Sequence, residues 1–516
     1  MRLLNSIATV GGYTMASRIL GFVRDILIAA TLGAGPVADA FFVAFKLPNF
    51  FRRLFAEGAF AAAFVPMFTG VLTGEGFDAA RRFGAQVLSV LAVALLVFCT
   101  VMQIAMPWAM HVFAPGFADD PAKFALAVEF ARITFPYLLF ISLVSQLGGM
   151  LNSLGRFAAA AATPILLNVT LIVFLVGATP LMESAGHALA WGVCVAGLIQ
   201  FLWLIEACRR NGMVFRLKRP RLNPVVKRLL ARILPGAIGA GVVQINLVIG
   251  TILASLLPTG AVSYLDYADR VYQLPLGVIG VAVGTALLPL LSRQIRAGEA
   301  DAAMASFNRA VEFALLLTLP ATAALIVIPG PIIAVLFERG AFDAANSAAT
   351  ADTLMAFAFG VPAFVLVKVL APGFFAREDV ATPVKVAAVS VAANIVLSLI
   401  LLRSMEHVGL ALATSVASWI NAVLLAVILA RRGHIRIDAR LKSRVLRMSV
   451  ATIAMAAALG GILACVDAMV DAGGLERAAA LVLLILAGIL TYGIFAVLCG
   501  AAGLGELRRA IPRRRA

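Results

Sequence analysis

Five cationic and three acidic side chains sit inside two apolar segments near the start of the chain. They are Arg18, Arg24 and Asp25 in the first, and Asp39, Lys46, Arg52, Arg53 and Glu57 in the second. A charge near the centre of a bilayer costs at least about 2.5–3.5 kcal/mol on insertion scales, so such groups face a protein interior or a wet cavity. Guanidinium forks bind phosphoryl or carboxylate oxygens in pairs, and a lysine adds a point charge. Cations outnumber carboxylates, and the surplus calls for a counter-anion. The chemistry on offer is capture of a large anion in a hydrated, cationic chamber.

In the second segment Asp39, Lys46, Asn49, Arg53 and Glu57 recur at helical spacing and form one polar stripe. Phe41, Phe42, Phe45, Phe50, Phe51 and Phe55 cover much of the remaining circumference. Pro48 is expected to kink this helix and free a backbone carbonyl for cavity water; the kink can also bring Arg52 onto the stripe. In the first segment Arg18 and Asp25 share nearly one helical face, and Arg24 points about a third of a turn away unless Gly21 breaks the helix. Two plainer readings compete. Arg24 can serve a structural salt bridge with a carboxylate elsewhere, and the second segment can be a self-neutralising Lys–Glu–Arg network.

The elements that must carry these charges follow from composition. The 516 residues are 62% hydrophobic and 13% charged, with a mean hydropathy of +1.01. Soluble domains are nearer about 45–50% apolar, so an all-α polytopic membrane protein is expected. Apolar runs fit fourteen spans, at 5–32, 37–71, 83–108, 125–153, 158–179, 186–208, 229–257, 261–292, 305–329, 349–374, 382–402, 407–430, 446–467 and 477–500. Each reaches the ~20 residues needed to cross a bilayer.

Lys and Arg fall thirty to one side and five to the other when sorted by alternate loops. The positive-inside rule then places both termini in the cytoplasm. The net charge of +16 is therefore a topology signal that also suits anionic headgroups, and a nucleic-acid partner is excluded. The first span carries charges and no small-residue cleavage site, so it reads as retained rather than as a signal peptide. Five unpaired-looking cysteines and four scattered histidines offer no disulfide framework, metal site, proton relay or cofactor motif.

Span eight repeats span two. The run Asp39 to Pro48 aligns with Asp266 to Pro275 at a constant offset, and Phe64-Val65-Pro66 echoes Leu287-Leu288-Pro289. Six intervening spans give the copies one orientation, as in repeats related by an axis along the membrane normal. The basic, proline-containing stretch 209–232 is the natural boundary. The expected organisation is an N-lobe at 1–215 (spans one to six), a C-lobe at 216–435 (spans seven to twelve) and a tail at 436–516. That tail holds two apolar spans able to groove an acyl or isoprenoid chain. Ser263, Asp266, Arg270 and Gln273 share a face of span eight with Asp269 displaced, so each lobe presents an arginine from its second helix; pairing of Arg270 with Asp269 or Asp266 is the plainer reading. Spans three to six read as scaffold, with Gln146, Asn168 and Gln200 as interhelical hydrogen bonds. Lys368 either joins the chamber or snorkels, and Asn394 and Asn421 read as packing.

These residues resemble the MurJ (MviN) family of lipid II flippases, within the multidrug/oligosaccharidyl-lipid/polysaccharide exporter superfamily. The stretches that carry the likeness are Ser17 to Asp25, Asp39 to Asn49 with Arg52-Arg53, and Phe55 to Phe60. Ala114-Pro115-Gly116-Phe117, Tyr267-Ala268-Asp269-Arg270 and Val369 to Phe374 follow in the family's order. The resemblance implies fourteen spans and movement of an undecaprenyl-diphosphate-linked disaccharide pentapeptide from the cytoplasmic to the periplasmic leaflet of the bacterial inner membrane. It maps cavity arginines onto Arg18, Arg24, Arg52 and Arg270, with Asp39, Glu57, Ser263 and Asp269 as lesser cavity positions; from the polar stripe itself, Lys46, Asn49 and Arg53 are expected beside them on the substrate. By charge alone, Asp25, Asp39, Glu57 and Asp269 are expected to compete for these arginines and so gate release. Some members carry a sodium site of acidic residues in the second lobe; here Asn246 and Asn394 stand as its remnants. No cofactor is implied, coupling falls to membrane potential or a cation, and the partners are the lipid-linked precursor, membrane lipids and cell-wall synthesis proteins around a monomer.

The nearest alternative is an ion-coupled multidrug or other polyprenyl-linked oligosaccharide exporter of the same superfamily. Cationic drugs suit an acidic, aromatic cavity, and the arginine surplus argues against them. A membrane enzyme such as a polyprenyl-phosphate glycosyltransferase needs an acidic metal motif or a long interfacial loop, and neither is present. No catalytic residue is expected. A non-transporting scaffold has no use for buried arginines.

Overall fold

A computed structural model of the chain describes residues 2–54, 60–214, 220 and 224–501. The described residues are helical almost throughout and include no strand. Nine helical segments among them are long and apolar enough to cross a membrane, from Phe77–Phe113 to Gly474–Leu498, so the chain is a multi-pass membrane protein. The fourteen expected crossings do not all emerge as separate long helices. The second is α2 (Pro36–Phe51) and α3 (Ala61–Gly74), on either side of residues 55–59, which lie outside the described set. The fourth is α5 (Pro121–Thr134) and α6 (Tyr137–Ser153), interrupted at Phe135-Pro136, where the proline has no N–H to continue the helical ladder although Phe135 keeps helical angles.

By compactness the chain divides into two units, residues 1–263 with 339–342, and residues 264–338 with 343–516. The first unit contains α1 (Arg2–Leu32), α2, α3, α4 (Phe77–Phe113), α5, α6, α7 (Phe157–Val173), α8 (Ala185–Arg210) and α9 (Pro224–Ser255). In it α1 packs on α7, α2 on α5, α6 on α8, and α9 on α3 and α4. Thus α9, which begins inside the 209–232 stretch, groups with the helices before it. Two glycines allow one close approach: Gly33 and Gly340, at φ +62° and +61°, face the backbone carbonyls of Ala341 and Ala30, where any Cβ would collide. That approach is fastened by the Ala341 amide, which donates to the Ala30 carbonyl at 2.8 Å.

The second unit carries most of α10 (Ala261–Arg296), then α11 (Ala300–Val327), α12 (Pro329–Phe337), α13 (Ala344–Ala358) and α14 (Val361–Phe375). It continues with α15 (Ala381–Arg431), α16 (Ala439–Ala472) and α17 (Gly474–Leu498). The 51-residue α15 is two arms that double back at Glu406, whose φ of 46° is non-helical. The Ser390 hydroxyl donates to the Ala417 carbonyl at 2.7 Å, so the arms run antiparallel, as spans eleven and twelve require. Phe307, Leu370, Phe374, Leu425 and Leu429 form a core joining α11, α14 and α15. The apolar pair α16 and α17 closes on α11 and α12 through Ile328, Leu459 and Leu484. Its outer faces expose Ile453, Leu483 and Ile489, as a lipid-facing surface does.

Candidate functional site

Arg24 is the best-defined charge of the predicted cluster. Its Nη2 and Nε donate to Asp25 Oδ1 at 2.6 and 3.0 Å, and its Nη1 to Asn168 Oδ1 at 2.8 Å. Both side chains of the ion pair are 11% exposed. Gly21 leaves α1 unbroken, contrary to one expectation; its missing side chain makes room for Asn168, which lies 3.4 Å from where a Cβ would be. The orientation of Arg24 away from Asp25 is also corrected. Neighbours on a helix diverge by about 100°, yet the long arginine side chain reaches round to the next residue. Asn168, expected as an interhelical hydrogen bond, ties α7 to α1 twice: its Nδ2 donates to the Ser17 carbonyl at 2.9 Å while its oxygen holds Arg24. Arg18 is exposed, with no ion-pair partner among the described residues.

Asp39 leaves the expected stripe. It is fully buried in the first turn of α2, where the helix dipole favours a carboxylate. Lys123 Nζ donates to its Oδ2 at 2.8 Å, and the Gly260 amide donates to the same oxygen at 2.8 Å. The Ser263 amide and hydroxyl donate to Oδ1 at 3.0 and 2.6 Å. Ser263, expected beside substrate, is likewise fully buried here with its hydroxyl committed to Asp39. Lys123 is the residue that sequence reasoning missed. Its nitrogen lies 4.2 Å from the centroid of the Phe117 ring, within the Ala114–Phe117 motif, and it is only 4% exposed. A signal existed: a cation in the first turn of an apolar helix opposes the dipole, so a buried anion must hold it there.

Further along α2, Pro48 cannot donate to the Ala44 carbonyl. Cavity water was expected to satisfy that oxygen; instead the buried Thr134 hydroxyl of α5 lies 3.3 Å from it. After Phe51 the helix widens into a π-type turn at Arg52–Leu54, and Arg52 Nε donates to Asn49 Oδ1 at 3.1 Å. Arg52 thus joins the face of Asn49, whose own amide is tied to the Phe45 carbonyl at 2.8 Å. Lys46 is half-buried and Arg53 exposed, while Glu57 lies outside the described residues. Gln146 and Gln200 bond the Gly84 and Thr163 carbonyls, as interhelical fasteners.

In the second unit Arg270 Nη2 lies 3.4 Å from Asp266, one helical turn back, and Asp269 accepts from Gln273. The face expected to present Arg270 thus includes its carboxylate neighbour. Lys368 is exposed on α14, and the Thr414 hydroxyl lies 3.5 Å from Asn394 Oδ1. Among the described residues no group of histidine, cysteine or acidic side chains has the arrangement of a metal site. A second unforeseen cluster surrounds Glu312 of α11, which is 6% exposed and paired with Arg309, Arg440 and Arg444. Part of the basic run 431–447 therefore fastens α16 to α11, besides any signal it carries for topology. Between α14 and α15, hydrogen bonds from the Thr382 hydroxyl and amide, then from Arg432, hold the Asp379 carboxyl well below the usual carboxylate range.

The chain matches the description "Lipid II flippase MurJ" over residues 28–474. A protein of Rhizobium meliloti (strain 1021) named a probable lipid II flippase MurJ is 48% identical, covering 99% of this chain and 97% of its own. One from Rhizobium tropici with the same name is 46% identical, covering 100% and 98%. A solved structure titled "Lipid II flippase MurJ, inward closed conformation" superposes with a TM-score of 0.79 at 25% identity, covering 98% of this chain and 99% of that one. An inward-facing multidrug resistance MATE transporter of the MOP superfamily shares the fold alone, at a TM-score of 0.65 and 15% identity. With its arginine-bearing first helices, its apolar spans and likeness along its whole length, the chain belongs to the MurJ family of lipid II flippases.

Proposed function

We propose that this chain carries lipid II, the undecaprenyl-diphosphate-linked peptidoglycan precursor, from the cytoplasmic to the periplasmic leaflet of the inner membrane by alternating access of two lobes. Both termini lie in the cytoplasm. The observation that carries this reading is the Arg24 site, a guanidinium almost enclosed within the apolar layer and held by one carboxylate and one neutral amide. A diphosphate brings about two negative charges and can take the place of Asp25 as the partner of Arg24. Arg18, with no carboxylate near it among the described residues, adds charge along the same helix. Arg52, Lys46, Asn49 and Arg53 supply it from α2, and Arg270 from α10. Transport moves the headgroup through the polar interior while the isoprenoid tail remains in lipid beside spans thirteen and fourteen.

Release needs the clamp to weaken. Asp25 already grips Arg24 in the described arrangement, so handing the guanidinium back to it displaces the diphosphate; Asp269 acts likewise in α10, and Glu57, outside the described residues, is assigned the same part by its charge. Asp39 and Ser263 form a clasp that holds the start of α10, and Ser263 becomes available to substrate only when that clasp opens. Membrane potential is worth about 2.3 kcal/mol per charge per 100 mV and is the natural drive for an anion moving outward. The test is flipping of labelled lipid II by the full chain in liposomes. Arg24→Ala, Arg18→Ala and Arg270→Ala are each expected to lower the rate by at least about tenfold. Wild-type rates in all three would end the clamp proposal.

A further inference from the structure

The back of the first unit holds a pair of charges that the clamp does not use. A cleft of about 550 Å³ between α4 and α5 is lined by Pro107, Phe124, Ala125, Val128, Glu129 and Arg132. Its size lies within the range of small-molecule sites. Arg132 is exposed inside the apolar segment Pro121–Ser153, where a bare cation is costly. Its Nε is fixed on the Gln103 carbonyl at 3.1 Å, and Gln103 Nε2 returns a bond to the Arg132 carbonyl at 2.7 Å. The two Nη groups have no partner among the described residues. Glu129 lies one helical turn back on the same face, yet it makes no ion pair with Arg132; its carboxylate stands 3.3 Å from His187 Nε2. The adjoining stripe of α4 exposes Ile104 and Trp108, each 68%, as a lipid-facing surface does.

We infer that this cleft binds the headgroup of a zwitterionic aminophospholipid, with Arg132 on its phosphate and Glu129 on its ammonium. Two opposite charges that line one cleft without neutralising each other match a ligand carrying both signs a few bonds apart. An anionic headgroup satisfies Arg132 and is repelled by Glu129. A choline headgroup has no N–H to donate to the carboxylate. Phe124, Val128 and Pro107 supply the apolar wall for the glycerol and the first acyl carbons. The topology proposed above puts the site in the periplasmic leaflet, but binding depends neither on that topology nor on flipping.

The experiment measures lipids retained by the purified full chain in native mass spectrometry, with phosphatidylethanolamine, phosphatidylcholine and phosphatidylglycerol offered in equal amounts. Wild type is expected to retain phosphatidylethanolamine about tenfold over either competitor, the worth of one charge-assisted hydrogen bond. Arg132→Gln should lower its retention about tenfold, with partial recovery in Arg132→Lys. Glu129→Gln should erase the discrimination between ethanolamine and choline. Ala125→Trp, which fills the cleft, should reduce all three. Should Arg132→Gln unfold through loss of its Gln103 bond, Glu129→Gln carries the test, because among the described residues that carboxylate makes only its 3.3 Å approach to His187 Nε2, which a glutamine oxygen can keep. Equal retention of the three lipids, preference for phosphatidylglycerol, or an ethanolamine preference surviving Glu129→Gln would overturn the assignment.

Discussion

At the scale of single residues, the buried Asp39–Lys123 pair and the Arg24–Asp25 pair ask different things of their partners. Asp39 is saturated by four donors from three parts of the first unit, so removing one leaves a charge stranded. Breaking a buried pair from one side costs about 3–5 kcal/mol. Asp39→Asn and Lys123→Met should each lower unfolding stability by that order in detergent, and the double variant by clearly less than their sum. Additive losses would show that the pair is not coupled. Arg24 makes a looser set of bonds, two to one carboxylate oxygen and one to an amide, and is suited to changing partners. Asp25→Asn should leave the fold intact, tighten retention of lipid II and slow its release, read as a burst of flipping followed by a reduced steady rate. Neither partner was legible in the sequence: the position of Lys123 in a first turn signals that a buried anion holds it, but nothing local names an anion 84 positions away, or a guanidinium 144 positions from Asn168.

At the scale of elements, prolines and turns decide where charges point. Pro48 leaves the Ala44 carbonyl without its helical donor, and Thr134 takes the place expected for water. Thr134→Val orphans that buried oxygen and should cost about 1–3 kcal/mol, measured by thermal unfolding. An unchanged melting curve would return the carbonyl to solvent. The turn between α14 and α15 rests on Asp379, which accepts from the Thr382 amide at 2.9 Å, the Thr382 hydroxyl at 2.6 Å and Arg432 at 2.6 Å. Its carboxyl titrates well below the unfolded value, so its contribution is complete above the unfolded pKa and disappears as pH falls through the folded one. Asp379→Asn should therefore destabilise the protein at neutral pH, with the gap from wild type closing only in strongly acidic solution. A gap that closed near the ordinary aspartate range would contradict the shift.

At the scale of the whole molecule, topology and energetics carry the remaining prediction. Single cysteines placed in a cysteine-free background at 211 and at 119 should react with an impermeant thiol reagent from opposite faces, the first from the cytoplasm and the second from the periplasm. Labelling of both from one face would reject the proposed orientation. The amino-acid sequence by itself determined the class of molecule, the helical periods, the surplus of arginine in the first two spans and the family likeness. Each of these depends on composition, on spacing within one helix or on short motifs in chain order. Tertiary structure alone decided which charges were already satisfied. It paired Asp39 with Lys123, tied Ser263 to that carboxylate, set Asn168 against Arg24 and gathered three arginines around Glu312. Periodicity reports the side of a helix on which a charge lies. Whether a counter-charge waits there depends on which helix packs alongside, and that follows from the burial of apolar faces across the whole chain.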